Sequence, residues 1–143
     1  MGRPETPLLA VDIIIEPEQT PGRILLIERR NPPHGHALPG GFVDIGETLE
    51  QAAVREALEE TSMAVTLKAL LGCYSDPERD PRGHTVSAVY IASGRGEPEA
   101  RDDARTVQLI DPQHPPQPLA FDHALILQDY LHYLETGQTP PLR

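Results

Sequence analysis

Glu47, Glu56, Glu59 and Glu60 are gathered around one arginine, Arg55, a short way downstream of the glycine pair Gly40-Gly41. If the intervening residues form a helix, Glu60 lies about 40° round the axis from Glu56 and Glu59 about 60° the other way, so the three share an arc of roughly 100°. Two carboxylates about 4 Å apart repel by roughly 4 kcal/mol at an effective dielectric of about 20, so such a cluster needs a counter-charge. A hard divalent cation supplies one. Oxygen-only ligands suit Mg²⁺ or Mn²⁺, which keep several waters and commonly bridge to phosphates, and the pattern therefore points to phosphate chemistry. A glutamate-rich helix face is ordinarily just a solvated surface. Here Arg55, four residues before Glu59, is spaced to hold a carboxylate in one rotamer, Glu47 is within range of the same guanidinium, and the glycines let the backbone approach the cluster.

The elements that must position these residues are legible in outline. A helix is predicted over residues 48–61, opened by the capping-box spacing of Thr48 and Gln51 and given an apolar stripe by Leu49, Ala52, Ala53 and Ala57. Strands are predicted over residues 8–15, 23–28, 65–74, 85–93 and 106–110, each bounded by proline or glycine clusters. A second helix is predicted from Asp122 onward, with Ala124, Leu127, Leu131 and Leu134 on its apolar face. The tail after Glu135 reads as loose. The result is an α+β chain with a mainly β middle and two helices to cover a sheet.

The 143 residues fit one domain. Twelve basic against twenty-two acidic residues give a formal net charge of −10, which disfavours nucleic acid and anionic membrane as partners. Cys73 stands alone, so no internal disulfide forms and a cysteine-rich zinc cluster is excluded; a reducing cytoplasm is the expected setting. Neither a signal peptide nor a membrane-length apolar run is present in the sequence.

Gly41, then Glu47, then Arg55-Glu56 and Glu59-Glu60, preceded by Leu38-Pro39-Gly40, resemble the signature box of the Nudix hydrolases. Ala57 departs from that pattern where a larger aliphatic residue is usual, and Ser62 stands where glycine usually ends the helix. The resemblance implies an α/β/α sandwich with a mixed central β-sheet, and hydrolysis of a diphosphate linked to another group. It further implies that Glu56, Glu59, Glu60 and the Gly40 carbonyl hold Mg²⁺ or Mn²⁺, with Glu47 and Arg55 orienting them. Cations in such a site offset the charge of the diphosphate and lower the pKa of an attacking water.

A second stretch, YSDPERDPRGHTVSAVY over residues 74–90, gives an otherwise acidic chain the local donors Arg79, Arg82 and His84, suited to phosphate or ribose oxygens. Spacing alone is equally consistent with a turn bearing solvated charges. The segment is similar to the matching loop of small ADP-ribose pyrophosphatases in the Nudix family, as is LAFDHALIL over residues 119–127. That resemblance implies ADP-ribose as substrate, cleaved to AMP and ribose 5-phosphate, and a homodimeric assembly. In the intervening EARDDARTVQLI, Arg101 replaces a glycine and Leu109 a tryptophan of those relatives. For the general base, Glu59 is the choice within the box and Asp103 the choice in the distant loop, with Glu97, Glu99 and Asp102 also in range by position.

Two alternatives stay open at this point: a Nudix enzyme for nucleoside triphosphates or dinucleoside polyphosphates, and a non-catalytic sensor of an ADP-ribose-type metabolite. Other residues carry less. His34 and His36 in a proline-glycine loop read as solvent-facing, not as a zinc site. His123 either lines a pocket or packs at the helix start, and Tyr130 and Tyr133 belong to a core or a subunit interface.

Overall fold

A computed structural model describes residues 2–100 and 104–143. Arg101, Asp102 and Asp103 lie outside the described residues, and with them the loop candidate for the general base. The order of elements is β1 (Leu8–Pro17), β2 (Ile24–Arg29), β3 (His36–Ala37), β4 (Gly40–Phe42), α1 (Leu49–Thr61), β5 (Ala64–Tyr74), β6 (Thr85–Arg95), β7 (Ala104–Ile110) and α2 (His123–Thr136). One sheet runs β4-β1-β6-β5 and is mixed, because β1 and β6 pair in parallel, from Leu8 opposite Thr85 to Pro17 opposite Gly94. The other, β3-β2-β7, is antiparallel.

The two-residue period of a strand sends alternate side chains to opposite faces, and β1 uses both. Val11, Ile13 and Ile15 pack toward α1 with Leu25, Ala88, Tyr90, Ala92 and the alanines Ala52, Ala53 and Ala57. Ile14 packs toward α2 with Ile24, Leu26, Val89, Ile91, Ile126, Leu127 and Tyr130. With a helix on each face, the strands form the middle layer of the α/β/α arrangement. The small side chain of Ala57 is fully buried in the first of these cores, so its departure from the larger aliphatic pattern lets α1 lie close to the sheet.

Two expectations need correction. The buried stripe of α2 is His123, Ile126, Leu127 and Tyr130, rotated from the leucine stripe read in the sequence; Ala124 and Leu134 face outward. Histidine and tyrosine supply part of the apolar contact there, which a pattern of leucines does not register. The tail, expected to be loose, is tied back at its end. Arg143 donates from Nε and Nη2 to the buried Asp129 at 3.1 and 2.8 Å, and its carbonyl accepts the Ser75 hydroxyl at 2.8 Å. Among the described residues no helix is long and apolar enough to cross a membrane.

Candidate active site

The helix that presents the glutamates is fixed at both ends by local chemistry. Thr48 Oγ1 accepts the Gln51 N–H at 3.0 Å and Gln51 Oε1 accepts the Thr48 N–H at 2.9 Å, which satisfies two of the free donors at the helix start. At the other end Ser62 takes the left-handed conformation, φ 63° and ψ 9°, and donates its N–H to the Leu58 carbonyl. Serine thus fills the place that glycine fills at lower conformational cost.

Arg55 is the hub of the acidic cluster. It grips Glu47 with two hydrogen bonds, from Nε at 2.7 Å and from Nη2 at 2.8 Å. Its Nη1 donates to Glu56 at 2.8 Å and to Glu59 at 3.1 Å, and Nη2 also reaches the Phe42 carbonyl at 3.1 Å. Glu60, only 6 % exposed, accepts the Gly40 N–H at 2.9 Å. The planar, multi-donor guanidinium suits this fork of carboxylates in a way that a lysine ammonium does not. The hydrogen bonds from Arg55, joined by the Asp44 N–H, draw the Glu47 carboxyl down to about 2, and Glu47 in turn pushes the Arg55 pKa upward. Glu56 moves the opposite way. Burial raises it, Arg55 opposes the rise, and the charges of Glu59 and Asp44 add to it.

The glycines form the opposite wall. A Cβ on Gly41 would lie 2.6 Å from Glu56 Cδ and Oε1 and 2.7 Å from Oε2, so the carboxylate occupies the space a side chain would need. A Cβ on Gly40 would run into the Val11 carbonyl and Asp12, because β4 pairs there with β1. Buried and half-buried carboxylates of like charge, one of them shifted upward, make an oxygen-only donor set that favours added positive charge and fits a hard divalent cation. In the present arrangement Arg55 and the Gly40 N–H hold the oxygens, and among the described residues no three acidic, histidine or cysteine side chains converge on a single point.

Glu56, Glu60, Gly40 and Gly41 open on a cavity of about 310 Å³, whose other walls include Asp12, Phe42, Arg79, Asp80, Arg82, Phe121 and His123. The three donors read from the sequence separate here. Arg82 lies within 5.5 Å of the Phe42 ring centroid and 5.2 Å of the Phe121 centroid, and is steadied by Asp80 at 2.9 and 3.1 Å. Arg79 also borders the cavity, but it is buried and gripped by Asp122 at 2.7 and 2.9 Å, so it braces the start of α2. His84 does not line the cavity: its Nε2–H donates to the Ser75 carbonyl at 3.0 Å, and the ring is exposed. Burial alone would raise Asp80; hydrogen bonds from the Arg82 side chain and backbone, with the charges of Arg82 and Arg79, hold it below the usual carboxylate range.

Several residues of the site carry no clear signal in the sequence. Phe42 and Phe121 bracket Arg82, and Arg29 stacks 4.9 Å from the Phe121 centroid. Asp12 and Ser87 sit on the α2-facing side of the sheet, joined by a 2.5 Å hydrogen bond. One signal for Asp12 does exist: it is the single charge inside the apolar run Leu8 to Ile15, and such a charge is rarely buried without a purpose.

Comparison with known proteins agrees with this geometry. The sequence matches the family described as NUDIX domain over residues 6–130. It is 49% identical over 130 residues to the ADP-ribose pyrophosphatase of Methanocaldococcus jannaschii, covering 89% of this chain and 75% of that protein. The fold superposes with a TM-score of 0.78, at 26% identity, on a bifunctional NMN adenylyltransferase/ADP ribose pyrophosphatase from Francisella tularensis complexed with AMP and a Mn ion, over 96% of this chain and 44% of that one. For the NUDIX domain of Shewanella oneidensis NrtR complexed with ADP ribose, the TM-score is 0.76 at 27% identity, over 91% and 90% of the two chains. With most of its length matched and the glutamate helix packed on a mixed sheet, the chain belongs to the Nudix hydrolase family.

Proposed function

We propose that this protein hydrolyses ADP-ribose to AMP and ribose 5-phosphate with a divalent cation, Mg²⁺ or Mn²⁺. The observation that carries the reading is that the glutamate wall and the Phe42, Arg82, Phe121 layer open on one cavity, which suits a ligand with a diphosphate at one end and a flat base at the other. The identity to the Methanocaldococcus pyrophosphatase supports the same substrate. Glu56, Glu59 and Glu60, with the Gly40 carbonyl, would hold the cation. When bound, the cation offsets diphosphate charge, polarises a phosphoryl oxygen and lowers the pKa of water.

The chain's own groups do the rest. Glu47 and Arg55 fix the carboxylates before substrate arrives, so little reorganisation remains at the moment of reaction. Glu59, the least buried of the three, takes the proton of the attacking water on a carboxylate oxygen, with Asp103 as the loop alternative. Arg82 lies against the substrate's polar oxygens, while Arg79 acts by holding Asp122. A cytoplasmic homodimer is the proposed assembly, with no role for nucleic acid; the net charge of −10 supports the last point, and light scattering tests the oligomeric state.

A panel of nucleoside diphosphate derivatives, nucleoside triphosphates and dinucleoside polyphosphates, incubated with Mg²⁺ and with Mn²⁺ and scored by products, tests the substrate. AMP and ribose 5-phosphate from ADP-ribose support it; pyrophosphate from a triphosphate as the main reaction refutes it. The complex of the NrtR domain with ADP ribose supports one second reading for this chain, a non-catalytic sensor of an ADP-ribose-type metabolite. Binding without turnover in the presence of either cation would establish that instead.

A further inference from the structure

The strand period brings Asp12 of β1 and Ser87 of β6 to the face of the sheet covered by α2, and α2 begins there with His123. His123 is 1% exposed, and its Nδ1 accepts the Leu38 N–H at 3.0 Å. A ring nitrogen that accepts carries no proton, so the neutral imidazole holds its proton on Nε2. That Nε2 is buried without a hydrogen-bond partner; Asp12 Oδ2, 3.7 Å away, is beyond hydrogen-bond reach. Buried donors are nearly always satisfied, and this one belongs to a residue that borders the cavity beside Asp12, so an acceptor brought in by a ligand would complete it. The neighbouring Phe121 holds its ring 5.2 Å from the His123 ring while its backbone sits at φ 54°, a region that a bulky non-glycine residue adopts only when its surroundings enforce it.

We infer that His123 and Asp12 are a donor and acceptor pair that reads the edge of the nucleobase and selects a 6-aminopurine. The inference rests on the proposed ADP-ribose substrate and adds which residues read its base. A ring nitrogen of the base accepts from His123 Nε2–H, and the exocyclic amine donates to the Asp12 carboxylate. A 6-oxopurine in the same orientation sets its carbonyl oxygen against the carboxylate. Two acceptors then face one another, and the site rejects the base by leaving both unpaired. The Ser87 hydroxyl donates to Asp12 Oδ2 and so helps fix the carboxylate as an acceptor.

Calorimetric titration of ADP-ribose and of its hypoxanthine counterpart, without added cation so that turnover is idle, tests this on the whole chain. The wild type is expected to prefer ADP-ribose by about tenfold or more, as for a site built around a substrate hydrogen bond. In His123→Asn the shorter amide keeps an acceptor for the Leu38 N–H but removes the distal donor, and the preference falls to within about twofold. In His123→Gln a donor returns near the Nε2 position and part of the preference with it. Asp12→Asn keeps an oxygen for Ser87 and adds a donor, so the hypoxanthine ligand gains relative to ADP-ribose; this variant decides the matter if the His123 variants fail to fold. Equal affinity of the wild type for both ligands, no binding of either, or an unchanged preference in His123→Asn and Asp12→Asn overturns the inference. A loss of both ligands in proportion, with a lowered Tm, assigns His123 a structural role and also overturns it. Base preference without hydrolysis in Mg²⁺ or Mn²⁺ contradicts the enzyme reading alone, and hydrolysis without base preference contradicts this inference alone.

Discussion

Gly41→Ala separates the positioning of a carboxylate from the stability of the fold. The new Cβ would stand 2.6 Å from Glu56 Cδ and Oε1, against an ordinary van der Waals separation of about 3.5 Å, so the carboxylate must retreat by about 0.9 Å. The atoms in the way are the far end of a flexible side chain, and the backbone has no need to move. Stability should therefore change little. Activity should not survive so well, since a misplacement of about 1 Å at a catalytic constellation costs on the order of 100-fold, or about 2.7 kcal/mol of transition-state stabilisation. The assay is ADP-ribose hydrolysis with saturating Mg²⁺, run beside a thermal melt of the same preparation. Gly40→Ala is the control: its Cβ meets the Val11 carbonyl and the Asp12 backbone inside the β1 and β4 pairing, so the strands must part and the melt itself should fall, by roughly 1–3 kcal/mol of stability. Full kcat/KM in a folded Gly41→Ala protein would refute the idea that the position of Glu56 matters to the reaction.

Arg55→Lys should lower kcat/KM by about 10- to 100-fold without restoring what Arg55→Ala loses, because an ammonium cannot hold Glu47, Glu56 and Glu59 together; steady-state kinetics on both variants check it. Asp80 is held below the usual range, so the stability it contributes is fully present above its unfolded pKa of about 3.9 and is lost as pH falls through the lower native value. Denaturant melts at intervals from pH 6 to pH 2 should show that loss, and Arg82→Ala should make the acid limb shallower. Deleting Arg143 removes two bonds to the buried Asp129 and the acceptor of the Ser75 hydroxyl, and leaves Asp129 the Tyr74 hydroxyl; the midpoint of a thermal melt should fall.

The long, strongly patterned elements are legible in the amino-acid sequence because each announces itself locally. The capping box of α1 and the β-branched run of β1 need only neighbours along the chain to be recognised. β3 and β4, two and three residues long, carry no period to detect and exist because β1 and β2 offer them edges. The acidic cluster is legible for the same reason as its helix: Arg55, Glu56, Glu59 and Glu60 are neighbours on one turn or the next. The loop donors are not, because their fate is decided far along the chain. Arg79 finds Asp122, 43 residues away, while His84 turns to Ser75. Asp12, Ser87 and His123 meet only through the parallel pairing of β1 with β6 and the docking of α2.

Crystals grown with MnCl₂ and AMP give the most direct test of the central claim, through the anomalous difference density of manganese. The account predicts a peak about 2.2 Å from carboxylate oxygens of Glu56 and Glu60, with Glu56 drawn off the Arg55 guanidinium toward the ion. Density empty of manganese, with Glu56 still on Arg55 and Glu60 still on the Gly40 N–H while AMP fills the cavity, would contradict it.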